Sequence, residues 1–370
     1  MDEVELFESV PNFSEGRDRS VIDAVAAASS PLHMLDVDPD PDHHRVVISL
    51  AGVRERLLDG LVNAIARAAE KIDLRTHAGV HPRVGAADVV PIVPLGHTSL
   101  EACREVARSL GDRVWTELQI PVYFYGHGAE WTLADIRNGR AQPDLGGPEL
   151  HPSAGAVCIG ARSPLVAFNV LLAGVTVPEA RGLARSLREA RSGIRGVQAL
   201  AFELPGGILQ LSMNLFRVDE TPPAAVLDTL RRRGVAVRSY EVVGLCPAAA
   251  ANEAADGKLL EGRIGAAVAR EGARRSQERG DDEHAALAQR LDAEASGLSA
   301  LGTGQSDILA GAERCAALAP VLKAAGVLDG ELESLALVAA RGLRQAVRAD
   351  TLAAYTVRVT ALDRRLSGSP

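Results

Sequence analysis

Aromatic side chains are scarce in this sequence: Phe, Trp and Tyr together make up 3% of 370 residues. Its cores must therefore pack through Ala, Leu and Val, and hydrophobic residues at 47% are ample for that. The four cysteines, Cys103, Cys158, Cys246 and Cys315, lie far apart with no C-x-x-C pair, which suits free thiols in a reducing cytosol. A basic surplus is missing too. The formal net charge of −8 argues against a diffuse cationic surface for nucleic acid or anionic lipid, so an anionic ligand would need local arginines. No apolar run approaches the roughly 20 residues that span a bilayer. The N-terminus, MDEVELFESV, has no basic segment ahead of an apolar one, so no secretory signal is expected. Walker loops, G-x-G-x-x-G turns between strand and helix, and H-E-x-x-H are likewise absent. The expectation is a cytoplasmic protein with no nucleic-acid or membrane partner.

What is present reads as two similar α/β units and a helical tail. Strands are expected over Val4 to Val10, Leu32 to Val37, Val46 to Leu50, Asp88 to Leu95 and Pro121 to Tyr125. Helices are expected from Asp18 or Ser20 to Ser29, from Val53 to Lys71 and from Leu100 to Leu110. Pro91 and Pro94 predict an edge or frayed strand. The Gly- and Pro-rich run from Gln142 to Pro152 reads as a linker. A second β-α-β-β-α-β order follows: Leu165 to Leu172, Pro178 to Ala190, Gly196 to Leu204, a Pro205-Gly206-Gly207 turn, Ile208 to Leu215, Pro222 to Arg233 and Val235 to Val243. This is the ferredoxin-like order. The expected fold is α/β (α+β), with two ferredoxin-like subdomains forming a groove, residues 1–155 and 156–270. An α-helical module, residues 271–370, follows them. Its helices are expected at Gly257 to Ala269, Asp282 to Ala295, Asp307 to Ala325 and Glu331 to Leu366, with Arg270 to Asp282 as a linker-like segment.

The chemistry concentrates in the stretch Asp73 to Leu95. Here His77 and His81 bracket Gly79 and are followed by Pro82, Arg83 and Gly85. Titratable groups beside Gly and Pro indicate a shaped loop, and loops on a rigid scaffold tend to carry reactive groups. His43 and His44 lie in a second loop, after Asp36, Asp38 and Asp42, so a metal bound by histidines and carboxylates is one reading. Proton transfer is the other. Histidine titrates near neutrality, and Asp36, Asp38, Asp42 or Asp73 could fix its tautomer. Arg45 and Arg83 could clamp a substrate carboxylate or brace the loops, and Asn12 could orient a polar substrate or form a turn. Gly-rich segments at Gly146-Gly147-Pro148, Ser153 to Gly155 and Arg191 to Gly196 suit a flat heterocycle with an anionic tail.

Three motifs, VPNFSEGRD (Val10 to Asp18), LDVDPDPDHHR (Leu35 to Arg45) and HAGVHPRVGAADVVPIVP (His77 to Pro94), closely resemble the glutamate formimidoyltransferase family. The likeness continues through PVYFYG, VQALAFEL, LSMNL and EVVGLCP and covers about residues 4–270. The resemblance implies transfer of the formimino group of N-formimino-L-glutamate to N5 of tetrahydrofolate, in histidine degradation. It implies no metal, no covalent enzyme intermediate and a homodimer. The family's catalytic histidine falls on His81, with Asn12, Arg45, His77 and Arg83 as candidate substrate contacts. Its folate-binding stretches fall on about Gly146 to Gly155 and Ser192 to Ala201, so Gly146, Gly147, Pro148, Ser153, Gly155, Gly193, Arg195 and Gln198 are the expected folate contacts.

The chain departs from the family pattern in places. Ala154 stands where the first folate stretch has a Trp, and Arg195 is the one cation in the second stretch. The tail lacks the G-G-G-S-type segment of cyclodeaminase domains, so no cyclodeaminase activity is expected. Two other readings remain: a metal-dependent hydrolase of a formimino compound built on His43, His44, His77 and His81, and a non-catalytic pterin-binding scaffold.

Overall fold

The computed structural model describes residues 4–78, 82–279, 282–348 and 351. The chain divides into two compact units after Leu245. In the first unit the elements run β1 (Leu6–Ser9), β2 (Asn12–Phe13), α1 (Arg19–Ala28), β3 (His33–Asp40), β4 (Arg45–Gly52), α2 (Arg54–Lys71), β5 (Ala87–Leu95), α3 (Leu100–Arg113), β6 (Val122–Gly126), α4 (Leu133–Arg137) and β7 (Val157–Ala161). A second set follows: β8 (Val166–Leu172), α5 (Val177–Leu187), β9 (Val197–Leu204), β10 (Ile208–Leu215), α6 (Pro223–Arg232) and β11 (Val237–Val243).

The first sheet keeps a ferredoxin-like core. β4 lies between β3 on one side and the interrupted strand β1/β2 on the other, and β1/β2 also pairs with β5. Beyond β5 the sheet continues with β7 and then β6, both parallel. The run expected to be a linker therefore leads into β7, a strand inserted between β5 and β6. The first sheet extends past the expected limit at residue 155. β5 is correspondingly central rather than an edge. Its prolines fit because each meets a gap in the ladder. Pro91 lies opposite the Val10–Pro11 break between β1 and β2, and Pro94 lies beyond Ala161, where β7 ends. One face of this sheet packs Phe7, Phe13, Ile48 and Ile92 against Leu57, Leu61 and Ile65 of α2 and Val106 and Leu110 of α3. The other packs Val89, Tyr123, Tyr125 and Cys158 with Ile136 of α4.

The second sheet has the order β11-β8-β10-β9, antiparallel throughout, as the β-α-β-β-α-β pattern predicts. Alternation along its strands sends Phe168, Val170, Leu211, Met213 and Val242 to one buried face. Ala167, Asn169, Leu171, Gln210, Ser212, Asn214 and Glu241 go to the opposite face.

The second unit, from Cys246, contains α7 (Leu260–Glu278), α8 (Asp282–Ser299), α9 (Gln305–Ala324) and α10 (Gly330–Ala346). Its helical character matches expectation, but its start lies 25 residues upstream of the expected boundary at 270/271 (270 − 245 = 25). The charged run from Arg270, expected to be a linker, continues α7. Glu271 pairs with Arg274 and Arg275 at helical spacing, and Arg275 reaches Asp329. α10 ends at Ala346, and most of the residues beyond it, where the sequence predicted more helix, lie outside the described set.

Candidate active site

The turn between β3 and β4 sets the positions of two histidines. Asp40 Oδ1 accepts hydrogen bonds from the main-chain N–H of Asp42 and His43, at 3.0 and 2.9 Å, the side-chain-closed turn that Asp favours. Its Oδ2 lies 2.6 Å from His43 Nδ1. The His43 ring then meets Phe202 of β9 edge-on, with centroids 5.5 Å apart. His44 has left-handed backbone, φ 51°, and its ring stacks instead on His77, with centroids 4.1 Å apart and planes tilted by 32°. Gly16 lets the β2–α1 loop close on this turn, since a Cβ there would strike the main chain of Asp40 and Arg45. The Gly16 N–H donates to His44 Nδ1 at 3.1 Å, and Glu15 Oε1 lies 3.3 Å from the same nitrogen.

Behind the histidines, arginines gather around one buried carboxylate. Asp88, on β5, is 0% exposed; it accepts from Val84 N at 2.6 Å, Arg45 Nη2 at 2.5 Å and Arg137 Nη2 at 2.9 Å. Burial alone would raise its pKa, but Arg45, Arg137 and the Val84 N–H hold it below the usual carboxylate range. Arg45 Nη1 also donates to Asn12 Oδ1 at 3.2 Å, and Asn12 Nδ2 donates to Val10 O at 3.1 Å. Arg83 donates to the carbonyls of His44 and His43, each at 3.3 Å. Burial, then Arg45, lowers the Arg83 pKa. Three guanidinium groups thus share one buried carboxylate, with Asp40 and Glu15 the other acids of the cluster, and such a set of arginines suits an anionic substrate.

His77 has a defined protonation state. Arg83 Nη1 lies 2.6 Å from His77 Nε2, and a guanidinium only donates, so Nε2 is the acceptor. Burial, then Arg83 and His44, push the His77 pKa down to about 4. His77 is thus neutral at physiological pH and braces Arg83. Asp73 is held by Arg75 at 2.6 Å, with its pKa lowered to about 2 by that side chain. Asp38 accepts from Gly244 N at 2.8 Å. Asp40, which the sequence reading did not single out, is the carboxylate at His43. His81 lies outside the described residues. Among the described residues no three His, Cys, Asp or Glu side chains converge as metal ligands, and His43 is turned from the His44–His77 pair toward Phe202.

A family model described as the formiminotransferase domain, N-terminal subdomain, matches residues 6–162. The chain is 40% identical over 269 residues to glutamate formimidoyltransferase of Thermoplasma acidophilum, covering 65% of this chain and 88% of that protein. It is 33% identical over 275 residues to the protein of the same name from Streptococcus pyogenes serotype M1, covering 68% and 92%. To the formimidoyltransferase-cyclodeaminase of Rattus norvegicus it is 36% identical over 281 residues, 68% of this chain and 52% of that one. The chain belongs to the glutamate formimidoyltransferase family.

The family match ends at residue 162, just after β7, so it spans the whole first sheet. The first of the stretches expected to bind folate sits against the histidine loop. Leu74 N donates to Ser153 O at 2.9 Å, and Gly155 pairs with Gly85. Gly155 has φ +71°, and a Cβ there would meet Val84 O, so glycine permits this approach. Ala154 is buried, with its N–H donating to His151 Nδ1 at 3.0 Å. Gly146, Gly147 and the cis-bonded Pro148 follow Leu145, which pairs with Val122 at the start of β6, and the Trp115 ring packs on Gly146. An aromatic surface is therefore present beside this stretch despite Ala154. The second stretch belongs to the other sheet. Gly193 closes the α5–β9 loop through its N–H to Arg188 O at 3.0 Å, Arg195 pairs with Glu220 at 3.0 Å, and Gln198 lies on β9. Asp88 and Arg137 escaped the sequence reading. Asp88 had a signal, a lone acid inside the apolar run Ala86 to Leu95, whereas Arg137 sits on a helix the periodicity did not reveal.

Proposed function

We propose that this chain is a glutamate formimidoyltransferase, a one-carbon transferase moving the formimino group of N-formimino-L-glutamate to N5 of tetrahydrofolate in histidine degradation. The observation that carries this reading is 40% identity across 88% of a protein of that name. The cationic surround of Asp88 supports it, because formiminoglutamate brings two carboxylates to a site with three guanidinium groups. Arg83 is the best placed to meet them, with Arg45 fixed by Asp88 and Asn12 as its support.

His81 is the proton carrier in this reading. It accepts the proton that N5 sheds on bonding to the amidine carbon, and returns it to the glutamate nitrogen as that carbon–nitrogen bond breaks. The groove aligns the reactants and no metal is called for. A homodimer follows the family resemblance, and four buried free thiols suit the cytoplasm.

Incubation with formiminoglutamate, with and without tetrahydrofolate, tests the proposal. Glutamate release that requires the folate is the expected result; release without it, or none, overturns the reading. His81→Ala is expected to lower turnover at least about a hundredfold with an unchanged melting temperature. Full activity of that variant would remove His81 from the mechanism.

A further inference from the structure

The helix-free face of the second sheet carries a buried amide that the first sheet's charge cluster does not use. Gln210 lies mid-strand on β10, between Leu171 of β8 and Phe202 of β9 in the ladder. It is 3% exposed, and its Oε1 has no hydrogen-bond partner among the described residues. The neighbouring buried amide is not left this way. Asn169, 4% exposed, donates from Nδ2 to Glu241 Oε1 at 3.0 Å. An amide oxygen removed from water without a partner is destabilising, so this position calls for a hydrogen-bond donor.

Its place in the fold says which ligand. Phe202, beside Gln210, meets the His43 ring, and the His43 carbonyl accepts from Arg83. Gln210 is therefore one side chain removed from the histidine–arginine cluster, on the opposite wall. Leu171 and Phe202 flank it in the ladder, Leu200, 45% exposed, lies one row along, and Ser212 and Asn169 are the polar neighbours on the same face. Apolar side chains around one placed polar group are the usual lining of a heterocycle site. A primary carboxamide pairs in two-point fashion with an edge that offers one donor beside one acceptor, since it offers the complement of each.

We propose that Gln210 recognises the lactam edge of the reduced pterin, its C=O accepting from N3–H and its N–H donating to the C4 carbonyl. This rests on the reading of tetrahydrofolate as formimino acceptor. Gln210 then fixes the ring in the plane that directs N5 toward the loop of His77 and Arg83, acting as a specificity residue for the acceptor and not for the amidine donor.

The test measures the steady-state constants for both substrates in wild type and in Gln210→Met, which keeps length and loses both polar atoms. The expected result is a KM for tetrahydrofolate raised about tenfold or more, with the KM for formiminoglutamate unchanged and the melting temperature of the ligand-free protein unchanged or higher. Unchanged KM values for both substrates, or equal rises in the two, would overturn the assignment. A second measurement needs no variant: inhibition of the wild-type enzyme by tetrahydropterin and by its N3-methyl derivative. N3-methylation is expected to weaken inhibition about tenfold, and equal inhibition refutes the lactam contact. Failure of the functional reading itself would show separately, as wild-type protein releasing no glutamate with folate present.

Discussion

The two sheets of the first unit share one strand-and-helix order and differ in what their strands carry. The first adds β6 and β7 to the ferredoxin-like core and brings Arg45, Arg83, Asp88 and Arg137 together where β4 and β5 begin. The second stays at four strands, and its helix-free face carries Asn169, Gln210, Ser212 and Asn214, with Glu241 at the margin. One wall is ionic and braced, the other largely neutral and, at Gln210, unsatisfied. A shared topology therefore fixes where side chains project, while function divides according to which groups project there. An ionic wall suits the dianionic amidine donor. A neutral amide wall suits the heterocycle that receives the group.

The sharpest way to break this comparison is to remove the centre of the ionic wall. Asp88→Asn leaves Arg45 and Arg137 buried around a neutral side chain. Removing one partner of a buried ion pair destabilises by about 3–5 kcal/mol, so chemical denaturation is expected to show a loss of that order. The second sheet holds no carboxylate of this kind, and no single polar substitution on its helix-free face is expected to match it. A loss under about 1 kcal/mol would mean that the arginines find solvent or other acceptors, and the wall would be less rigid than its hydrogen bonds indicate.

The same contrast explains what was legible in the sequence. The second sheet was read nearly strand for strand, because its alternation and its Pro205-Gly206-Gly207 turn are local signals. The first sheet was read only in part. β7 is a five-residue strand at the end of a Gly/Pro-rich run, and its place between β5 and β6 is a long-range fact that no local pattern encodes. For the same reason, Pro91 and Pro94 argued for an edge although the chain places a ladder gap at each. In the site, the histidines and Arg45 and Arg83 stood out because they cluster in loops between glycine and proline. Their partners did not. Asp40 was one of several acids in a row, and Arg137 reaches Asp88 across 49 residues of sequence. The helical unit shows the limit from the other side. Arg270 to Asp282 is charged enough to suggest a linker, yet Glu271, Arg274, Arg275 and Glu278 pair with one another along α7.

A gentler probe is acid. His77 is neutral because burial and Arg83 disfavour its charged form, with a pKa of about 4 against an ordinary value near 6.5. The unfolded chain therefore binds this proton first as pH falls. The stability His77 contributes is complete above about pH 6.5 and is lost as pH drops through about 4. Nuclear magnetic resonance of the histidine ring is expected to place its midpoint near 4, and His77→Gln is expected to flatten the acid limb of stability between those values. A midpoint near 6.5 would show that Arg83 does not rest on this ring. It would also reopen His77 as an acid in catalysis, since a histidine titrating near neutrality can donate a proton there.

The smallest expected effect lies on the second sheet and decides whether charge plays any part in its wall. Arg195 is the one cation between Ser192 and Ala201, and its side chain is 64% exposed and paired with Glu220 at 3.0 Å. An exposed pair of this kind contributes about 0–1 kcal/mol, so Arg195→Ala is expected to leave the melting temperature almost unchanged. Its effect on substrate is separable from stability. A guanidinium that meets the anionic glutamate tail of folate through solvent is worth about 1 kcal/mol or less, a rise of up to about fivefold in the KM for tetrahydrofolate. That rise would be larger for polyglutamylated than for monoglutamyl folate and would fade at high salt, because exposed charges are screened over about 8–10 Å. A KM that does not move at low salt would confine the second sheet's part in binding to uncharged groups. Charge recognition would then belong wholly to the first sheet, and the two walls would divide donor from acceptor without overlap.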